Sequence, residues 1–149
     1  MSDLSIGFKK LDNEARMPTR GSIYAAGWDL YADIPSGFVW IKPHETVKIS
    51  TGLSIAIPNG WEGEIRPRSG LATKQGLRPA NTPGTIDSDY RGPVIVALHN
   101  DSEETQRIDT GERIAQILFN KVPDVHWIEV PELDETARGE GGFGSTGSK

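Results

Sequence analysis

Residues 84–92 read Gly-Thr-Ile-Asp-Ser-Asp-Tyr-Arg-Gly, and the strongly apolar run Val94–Leu98 follows almost at once. Two glycines bracket an apolar, acidic and aromatic sequence, which favours a tight hairpin with Ser88-Asp89 in its turn. Such a hairpin can bring the Asp87 carboxylate and the Tyr90 ring into one small pocket. A plain surface β-turn explains the same residues, because Asp and Gly dominate turns. The rest of the chain must decide between the two.

Short apolar and β-branched runs recur along the chain, separated by turn residues that include 17 glycines and 10 prolines. Many short strands between turn signals predict an all-β fold, a β-sandwich or distorted jelly roll. One short helix is predicted over Ser69–Gln75, with Ser69 as its N-cap and Gly76 just beyond its end. The predicted strands include Phe38–Ile41, Val47–Ile49, Leu53–Ile57, Val94–Leu98 and Ile114–Phe119.

Length and composition predict one folded domain and a tail. The chain has 149 residues, 36% of them hydrophobic, which is enough for one core. We predict a single jelly-roll domain over residues 1–131. Residues 132–149 contain few apolar side chains and end in a glycine-rich sequence. This tail cannot stay folded alone, so we expect it to be mobile unless a ligand or a neighbouring subunit orders it.

Charge and residue usage exclude several classes of function. A net charge of −5 argues against a general nucleic-acid or membrane-surface binder, although an anionic small molecule is compatible with locally clustered arginines. The absence of cysteine excludes disulfides, thiolate zinc sites and a cysteine nucleophile. No signal-like or membrane-spanning apolar stretch is present, which predicts a soluble, cytoplasmic protein, with a nuclear location also compatible with a eukaryotic source.

Two segments are candidate anion sites. Arg68, Ser69 and Gly70 combine a guanidinium, a hydroxyl and free N–H groups at a helix start, which suits an anion. An ordinary helix cap beside a surface arginine explains them equally well. The glycine-flanked Ser145 and Thr146 form the second candidate, although a flexible terminus is the simpler interpretation. This second segment is not a Walker A loop, because no lysine precedes the hydroxyl residues.

Two polar residues interrupt otherwise apolar segments. Gln116 lies within Ile114–Phe119 and can simply face solvent on an alternating strand. Asp29 either faces water, caps a buried network or helps to hold a cation. The three histidines are too far apart in sequence to suggest a metal site, and each is interpreted as a surface or structural residue.

Five segments of the chain occur in the order and spacing of the homotrimeric dUTPase family, which this chain resembles over nearly its whole length. The resemblance implies a jelly-roll homotrimer that hydrolyses dUTP to dUMP and pyrophosphate with Mg²⁺. It also implies a role in limiting uracil incorporation into DNA and in supplying dUMP for dTMP synthesis. The segments are Ala26–Ala32, Pro67–Ala72, Gly84–Gly92, Gly111–Gln116 and Arg138–Gly147.

The resemblance also implies a role for each residue of the 84–92 segment and its surroundings. Asp87 is expected to be the general base that activates water for attack on the α-phosphorus. Tyr90 is expected to stack under the deoxyribose and to exclude a 2′-hydroxyl. The uracil edge is expected to be read by the Asn81 side chain and by the backbone from Gly84 through Thr85 to Ile86.

The remaining matched residues are expected to handle phosphate and metal. Asp29 is expected to act on Mg²⁺ through water, because a single carboxylate is a weak site and the phosphates supply most ligands. The resemblance further implies sites shared among three subunits, with the tail arriving from a neighbour and Phe143 covering the uracil. The residues expected to bind the triphosphate are Arg68, Ser69, Gly70, Gln116, Arg138, Gly144, Ser145 and Thr146.

Two other classes remain open from the residues alone. The related dCTP deaminases share the expected fold, but they need a glutamate placed for deamination and lack the Tyr90 segment and the Phe143 tail. A non-enzymatic β-sandwich binding module would explain the strands. It offers no reason for two anion sites around one Asp-Tyr turn.

Overall fold

The computed structural model describes residues 3–148 and contains ten strands and one short helix in that range. The helix lies between the fifth and sixth strands of the chain. In chain order the elements are β1 (Gly7–Lys10), β2 (Trp28–Tyr31), β3 (Phe38–Ile41), β4 (Thr46–Ala56), β5 (Trp61–Arg66), α1 (Ser69–Gln75), β6 (Leu77–Pro79), β7 (Gly84–Ile86), β8 (Pro93–Asn100), β9 (Gln106–Asp109) and β10 (Arg113–Lys121).

The strands form two four-stranded antiparallel sheets and a two-stranded one. The first sheet has the order β1-β4-β8-β6, the second has the order β2-β10-β5-β7, and β3 pairs with β9. Alternation along β8 buries Val94, Val96 and Leu98 and leaves the residues between them more exposed. The all-β prediction with one short helix, in a distorted jelly roll, is therefore confirmed.

One apolar core holds the sheets together. Burying each large aliphatic side chain contributes roughly 1.5–3 kcal/mol relative to exposure, so this cluster supplies the main stabilising term. Its most deeply buried members come from both large sheets and from the β3-β9 pair. They include Ile41, Leu77, Leu98, Ile108, Ile114 and Ile117.

The predicted helix has the expected length but a different N-cap. Arg68, with φ −86° and ψ 134°, is the N-cap, and no side chain caps the helix start. The Arg68 carbonyl accepts the first helical hydrogen bond from the Ala72 N–H at 3.0 Å. Ser69 is therefore already inside the helix, and the prediction that it caps the helix was wrong. Gly76 ends the helix in the left-handed region, at φ 70°, as predicted.

The predicted hairpin over 84–92 was also wrong, although its turn is present. Tyr90 N–H donates to the Asp87 carbonyl at 3.1 Å, which places Ser88 and Asp89 at the centre of a turn. The strands on either side belong to different sheets, because β7 pairs with β5 whereas β8 pairs with β4 and β6. Ile86 and Val94 are both buried in the core, each from its own sheet. The turn therefore bridges the two layers.

The last strand ends at Lys121, and residues 122–148 contain neither helix nor strand. Two of the large apolar side chains after β10, Trp127 and Ile128, are 95% and 79% exposed. The predicted boundary at residue 131 stays a prediction. Within residues 3–148, no helix is long and apolar enough to cross a membrane.

Candidate active site

A cavity of about 240 Å³ opens between the edges of the two large sheets, where β6, β7 and β8 meet. The floor of the cavity is apolar and includes Ile65, Pro79 and Val96. Its rim carries polar groups from the loop before β7, from β7 itself and from the turn after it. These are Asn81, Gly84, Thr85, Ile86, Asp87 and Tyr90. The structure thus brings together the predicted base, the predicted ring and the predicted reading edge.

β7 suits recognition of a flat polar ligand because it is an edge strand. One side of Gly84–Ile86 pairs with β5, and no strand of the described chain pairs with the other side. An edge strand offers unpaired N–H and C=O groups in alternation. Gly84 lacks a side chain, and a Cβ there would lie 3.4 Å from Asn81 Nδ2. The backbone and the Asn81 amide are therefore close enough to contact one ligand together.

The turn at 87–90 is held in place by side-chain hydrogen bonds. The Tyr90 hydroxyl donates to the Pro93 carbonyl at 2.8 Å. Ser88 Oγ donates to Asn59 Oδ1 at 3.2 Å, which ties the turn to the loop between β4 and β5. Asp87 is exposed at the rim, so water can reach its carboxylate.

Arg68 and Asp29 meet at a second, separate place, beside the start of α1. Arg68 Nε donates to Asp29 Oδ1 at 3.1 Å, and Arg113 Nη1 lies 3.6 Å from Asp29 Oδ2. The Asp29 side chain is only 15% exposed, so this carboxylate is largely buried between two cationic side chains. Its contact engages the Nε of Arg68. The Arg68 terminal nitrogens donate no hydrogen bond within the described chain.

Gln116 lies next to this corner. It is opposite Asp29 on β2 and opposite Arg66 on β5, and its Nε2 donates to the Pro67 carbonyl at 2.9 Å. A Cβ on Gly27 would collide with the Gln116 side chain, so the glycine makes room for it. Gln116 therefore fixes the chain where β5 turns into α1.

Arg66 is less available for an anion than Arg68. Its guanidinium donates two hydrogen bonds to Glu64 Oε2, of 3.0 and 2.6 Å. Together with a bond from Asn120, these hold the pKa of the Glu64 carboxyl below its usual range. A carboxylate that stays ionised keeps Arg66 paired.

The predicted tail residues do not reach either place within one chain. Arg138 Nε donates to the Gly141 carbonyl at 2.8 Å, and the Ser145 N–H donates to the Gly142 carbonyl at 3.0 Å. Within residues 3–148, no hydrogen bond joins residues 132–148 to the sandwich. Phe143 is fully exposed and has a φ of 48°.

Sequence reasoning missed several residues of these two places. Arg113 stands in a quoted segment, but its approach to Asp29 depends on the pairing of β10 with β2. Pro79 and Ile65 line the cavity, and no sequence signal set them apart from other core residues. Asn59 braces the turn from a separate loop.

The histidines hold no common site. His44 Nε2 lies 2.8 Å from Glu103, and His99 Nδ1 lies 2.8 Å from Thr46 Oγ1. From residue 3 to residue 148, no three His, Cys, Asp or Glu side chains are grouped so that they could hold a metal.

A model of the dUTPase family matches residues 13–147. The chain belongs to the dUTPase family. A deoxyuridine 5'-triphosphate nucleotidohydrolase from Wolbachia pipientis subsp. Culex pipiens is 48% identical over 148 residues, covering 97% of this chain and 96% of the relative. One from Caulobacter vibrioides (strain NA1000 / CB15N) is 47% identical over 147 residues, covering 97% and 95%. The family and the enzyme class, dUTP diphosphatase, predicted from five short segments are thus confirmed.

Solved structures of the family share the fold. The Staphylococcus bacteriophage 80alpha dUTPase with dUPNHPP has a TM-score of 0.86 at 29% identity, covering 96% of this chain and 98% of that chain. A mutant dUTPase from phage phi11 of S. aureus, which coordinates a structural Mg(II) ion, has a TM-score of 0.78 at 23% identity, covering 88% and 99%. The fold assignment therefore stands on sequence and on shape.

Proposed function

We propose that the chain hydrolyses dUTP to dUMP and pyrophosphate through attack of an Asp87-activated water on the α-phosphorus. The observation that carries this is the shared cavity, in which Asp87 and Tyr90 line the same rim as Asn81 and β7. Asp87 accepts the water proton as the water oxygen bonds to phosphorus, and pyrophosphate leaves. A positioned carboxylate contributes roughly 10²–10⁴-fold to such a step.

Base and sugar selection follow from the walls of the cavity. The free edge of β7 and the Asn81 amide offer donors and acceptors that suit the pairing edge of uracil. Cytosine reverses the donor and acceptor at that edge, so it would leave enclosed polar groups unpaired. The Tyr90 ring would lie beneath the sugar and oppose a 2′-hydroxyl.

The triphosphate would lie along the second place. Arg68 is half-buried and oriented by Asp29, while the Ser69 hydroxyl and the Gly70 N–H are exposed at the start of α1. Gln116 would complete this cradle from β10. Fixed cationic and N–H donors suit the charge of a phosphate chain.

Magnesium fits this arrangement only as a metal held mainly by phosphate. Asp29 is a carboxylate of this corner, and Arg68 and Arg113 already contact it. It would act on the metal through water, as Mg²⁺ commonly keeps several waters. When bound, Mg²⁺ would offset the negative charge of the phosphates.

We infer that the active enzyme is a homotrimer with shared sites. The cavity, the Arg68 corner and the tail would carry parts of one site, and between residues 3 and 148 of a single chain the tail forms no hydrogen bond to either of the others. Trp127 and Ile128 are left exposed by one chain, and large exposed apolar side chains favour a protein partner. The tail of a neighbour, through Arg138, Phe143, Gly144, Ser145 and Thr146, would then close over the γ-phosphate and the base.

Parallel incubations with dUTP, dCTP and dTTP test the function, with pyrophosphate and ammonia as readouts. Pyrophosphate from dUTP alone is expected. Ammonia from dCTP would indicate a deaminase, and no product from any nucleotide would indicate a binding module. In a cell, the proposed reaction would keep uracil out of DNA and supply dUMP for dTMP synthesis.

A further inference from the structure

Within the described part of the chain, the side chain of Tyr90 makes a single hydrogen bond, and this contact orients its ring. Its hydroxyl donates a 2.8 Å hydrogen bond to the carbonyl oxygen of Pro93, the first residue of β8. The residue is 41% exposed, so burial alone does not fix the ring. A partly exposed side chain keeps its rotamer freedom unless a specific contact removes it. The hydroxyl contact is therefore what selects one orientation.

Gly92 provides the space for that orientation. A Cβ at this position would lie 2.6 Å from Cζ and 2.9 Å from Cε1 of Tyr90. Packed atoms do not approach so closely, so any larger residue must displace the ring. The φ angle of Gly92 lies outside the left-handed region, so alanine is compatible with the backbone. The effect of a methyl group here is therefore confined to the ring.

The backbone under the ring is braced independently. Arg91 Nη1 donates to the carbonyl oxygens of Ser88 and Tyr90, at 2.6 and 3.0 Å. Ser88 Oγ in turn bonds Asn59. A displaced ring would therefore swing on a fixed turn, and the Asp87 backbone would stay in place.

We propose that Gly92 and the Pro93 carbonyl are positioning groups for the Tyr90 ring and that they set the discrimination between deoxyribose and ribose. The inference rests on the proposed function, in which the ring lies beneath the sugar. A ring excludes a 2′-hydroxyl only if it cannot move aside. The hydroxyl contact holds the ring in this orientation, and Gly92, which has no side chain, leaves room for the ring there.

The test compares kcat/KM for dUTP and for UTP in single variants. Gly92→Ala is expected to lower the dUTP-to-UTP ratio about tenfold by displacing the ring. Tyr90→Phe keeps the ring but removes the hydroxyl, and we expect a loss of about threefold, the value of one neutral hydrogen bond. Gly21→Ala is the matched control, because a Cβ there meets nothing within 4 Å and the backbone φ is equally permissive. This control should leave the ratio unchanged.

A double-variant cycle tests whether Gly92→Ala changes the dUTP-to-UTP ratio through the Tyr90 ring. In a Tyr90→Ala background, Gly92→Ala should have no further effect on the ratio, because no ring is left to displace. An equal loss in both backgrounds would overturn the inference. Ratios for Gly92→Ala and Tyr90→Phe that match the unaltered chain would overturn it as well. If thermal melting shows that Gly92→Ala is poorly folded, Tyr90→Phe decides alone.

The same measurements separate this inference from the proposed function. An unchanged ratio in Tyr90→Ala itself would refute the role of the ring as the sugar gate, and the positioning inference with it. A lowered ratio in Tyr90→Ala with unaltered ratios in the other two variants would overturn only the positioning inference. Release of pyrophosphate from dUTP by the unaltered chain tests hydrolysis separately.

Discussion

The turn at 87–90 and the tail at 132–148 both lack helix and strand, and both carry residues predicted to bind substrate. Of these two segments, only the turn is held to the rest of the chain by buried neighbours and hydrogen bonds. Ile86 and Val94, on either side of it, are buried, and side-chain hydrogen bonds from Ser88 and Tyr90 tie it to its surroundings. The hydrogen bonds of the tail all join residues within the tail.

The difference shows that buried residues at the ends of a loop decide whether the loop has a fixed structure before a ligand binds. Glycine is common in both segments, yet the turn keeps one arrangement because the strands at its ends are part of the core. No residue from 132 to 148 is buried. A segment without buried contacts opens at little free-energy cost and can be ordered by a ligand or a partner. Under the proposed function, the chemistry would take place in the fixed region and the tail would supply closure.

The largest expected effect concerns the carboxylate in the fixed region. Asp87→Asn should lower kcat at least about 10²-fold, because the amide cannot accept the water proton. Nucleotide binding should persist, since the two side chains are nearly the same size. Steady-state kinetics and binding of a non-hydrolysable dUTP analogue check both points.

Asp89→Asn is the matched control for this variant. Asp89 is exposed in the centre of the same turn and does not line the cavity. Its loss should cost far less activity. Equal losses from the two substitutions would show that the wrong carboxylate has been assigned.

Removing the tail should give the next largest effect. A chain lacking residues 138–149 should lose about 10–100-fold in kcat, because γ-phosphate contacts and closure are gone. Its melting temperature should be unchanged, since none of the described residues 132–148 is buried. A lowered melting temperature would show that the tail supports the sandwich, and the contrast between the two regions would fail.

Mixing two inactive variants tests whether the tail serves a neighbour. Asp87→Asn and the truncated chain, unfolded and refolded together, should recover activity. Mixed trimers can combine an intact Asp87 of one subunit with an intact tail of another. Mass measurement must verify mixing. No recovery in verified mixed trimers would place each site within one chain.

The smallest expected effect concerns the stability of the folded chain. The contrast between the turn and the tail implies that this stability comes from the sandwich and not from the tail. Asp33 is 8% exposed just after β2, and its carboxyl is hydrogen-bonded to that of Asp12. This contact and, after it, burial raise the pKa of Asp33 to about 6. The same contact holds the pKa of Asp12 below its usual range. Gly52, at φ 69°, leaves the space that the Asp33 carboxyl occupies.

A raised carboxyl pKa stabilises the folded state at low pH. Asp33 binds a proton more tightly when folded, so its contribution is complete below pH about 4, near its unfolded pKa, and is lost as pH rises through about 6. The lowered pKa of Asp12 has the opposite sign and offsets part of this loss. Stability should therefore fall between about pH 4 and pH 7.

Asp33→Asn supplies a permanent donor to Asp12 and should remove this loss. At pH 8 the variant should be more stable by about 1–2 kcal/mol, given about 1.4 kcal/mol per pKa unit, and the gain should vanish near pH 4. Thermal melts at one protein concentration measure it. The gain should be the same with and without residues 138–149. A gain independent of pH would contradict the paired-carboxyl explanation.

Local patterns proved sufficient for much of the fold. The apolar runs at Phe38–Ile41, Val94–Leu98 and Ile114–Phe119 all lie in strands, because alternation and β-branching depend on nearest neighbours. The helix ended at Gly76 because only glycine adopts the left-handed region without cost. Its start was assigned wrongly, since Arg68 and Ser69 both precede the apolar residues and local preference favours serine.

Long-range pairing is where local patterns failed. A glycine-bracketed turn between two short strands satisfies every hairpin rule, yet β7 and β8 join different sheets. The approach of Asp29 to Arg68 joins residues 39 apart in sequence. No short-range preference distinguishes these partners from other polar residues.

The order of residues alone was enough to establish the strand-rich fold, the short helix and the family, because each depends on patterns of neighbouring residues. Tertiary packing decided that the turn at 87–90 bridges two sheets, that β7 is an edge strand beside Asn81, and that Asp29 orients Arg68. These arrangements arise because distant apolar faces must be buried together, and the polar groups beside them are brought into contact as a consequence.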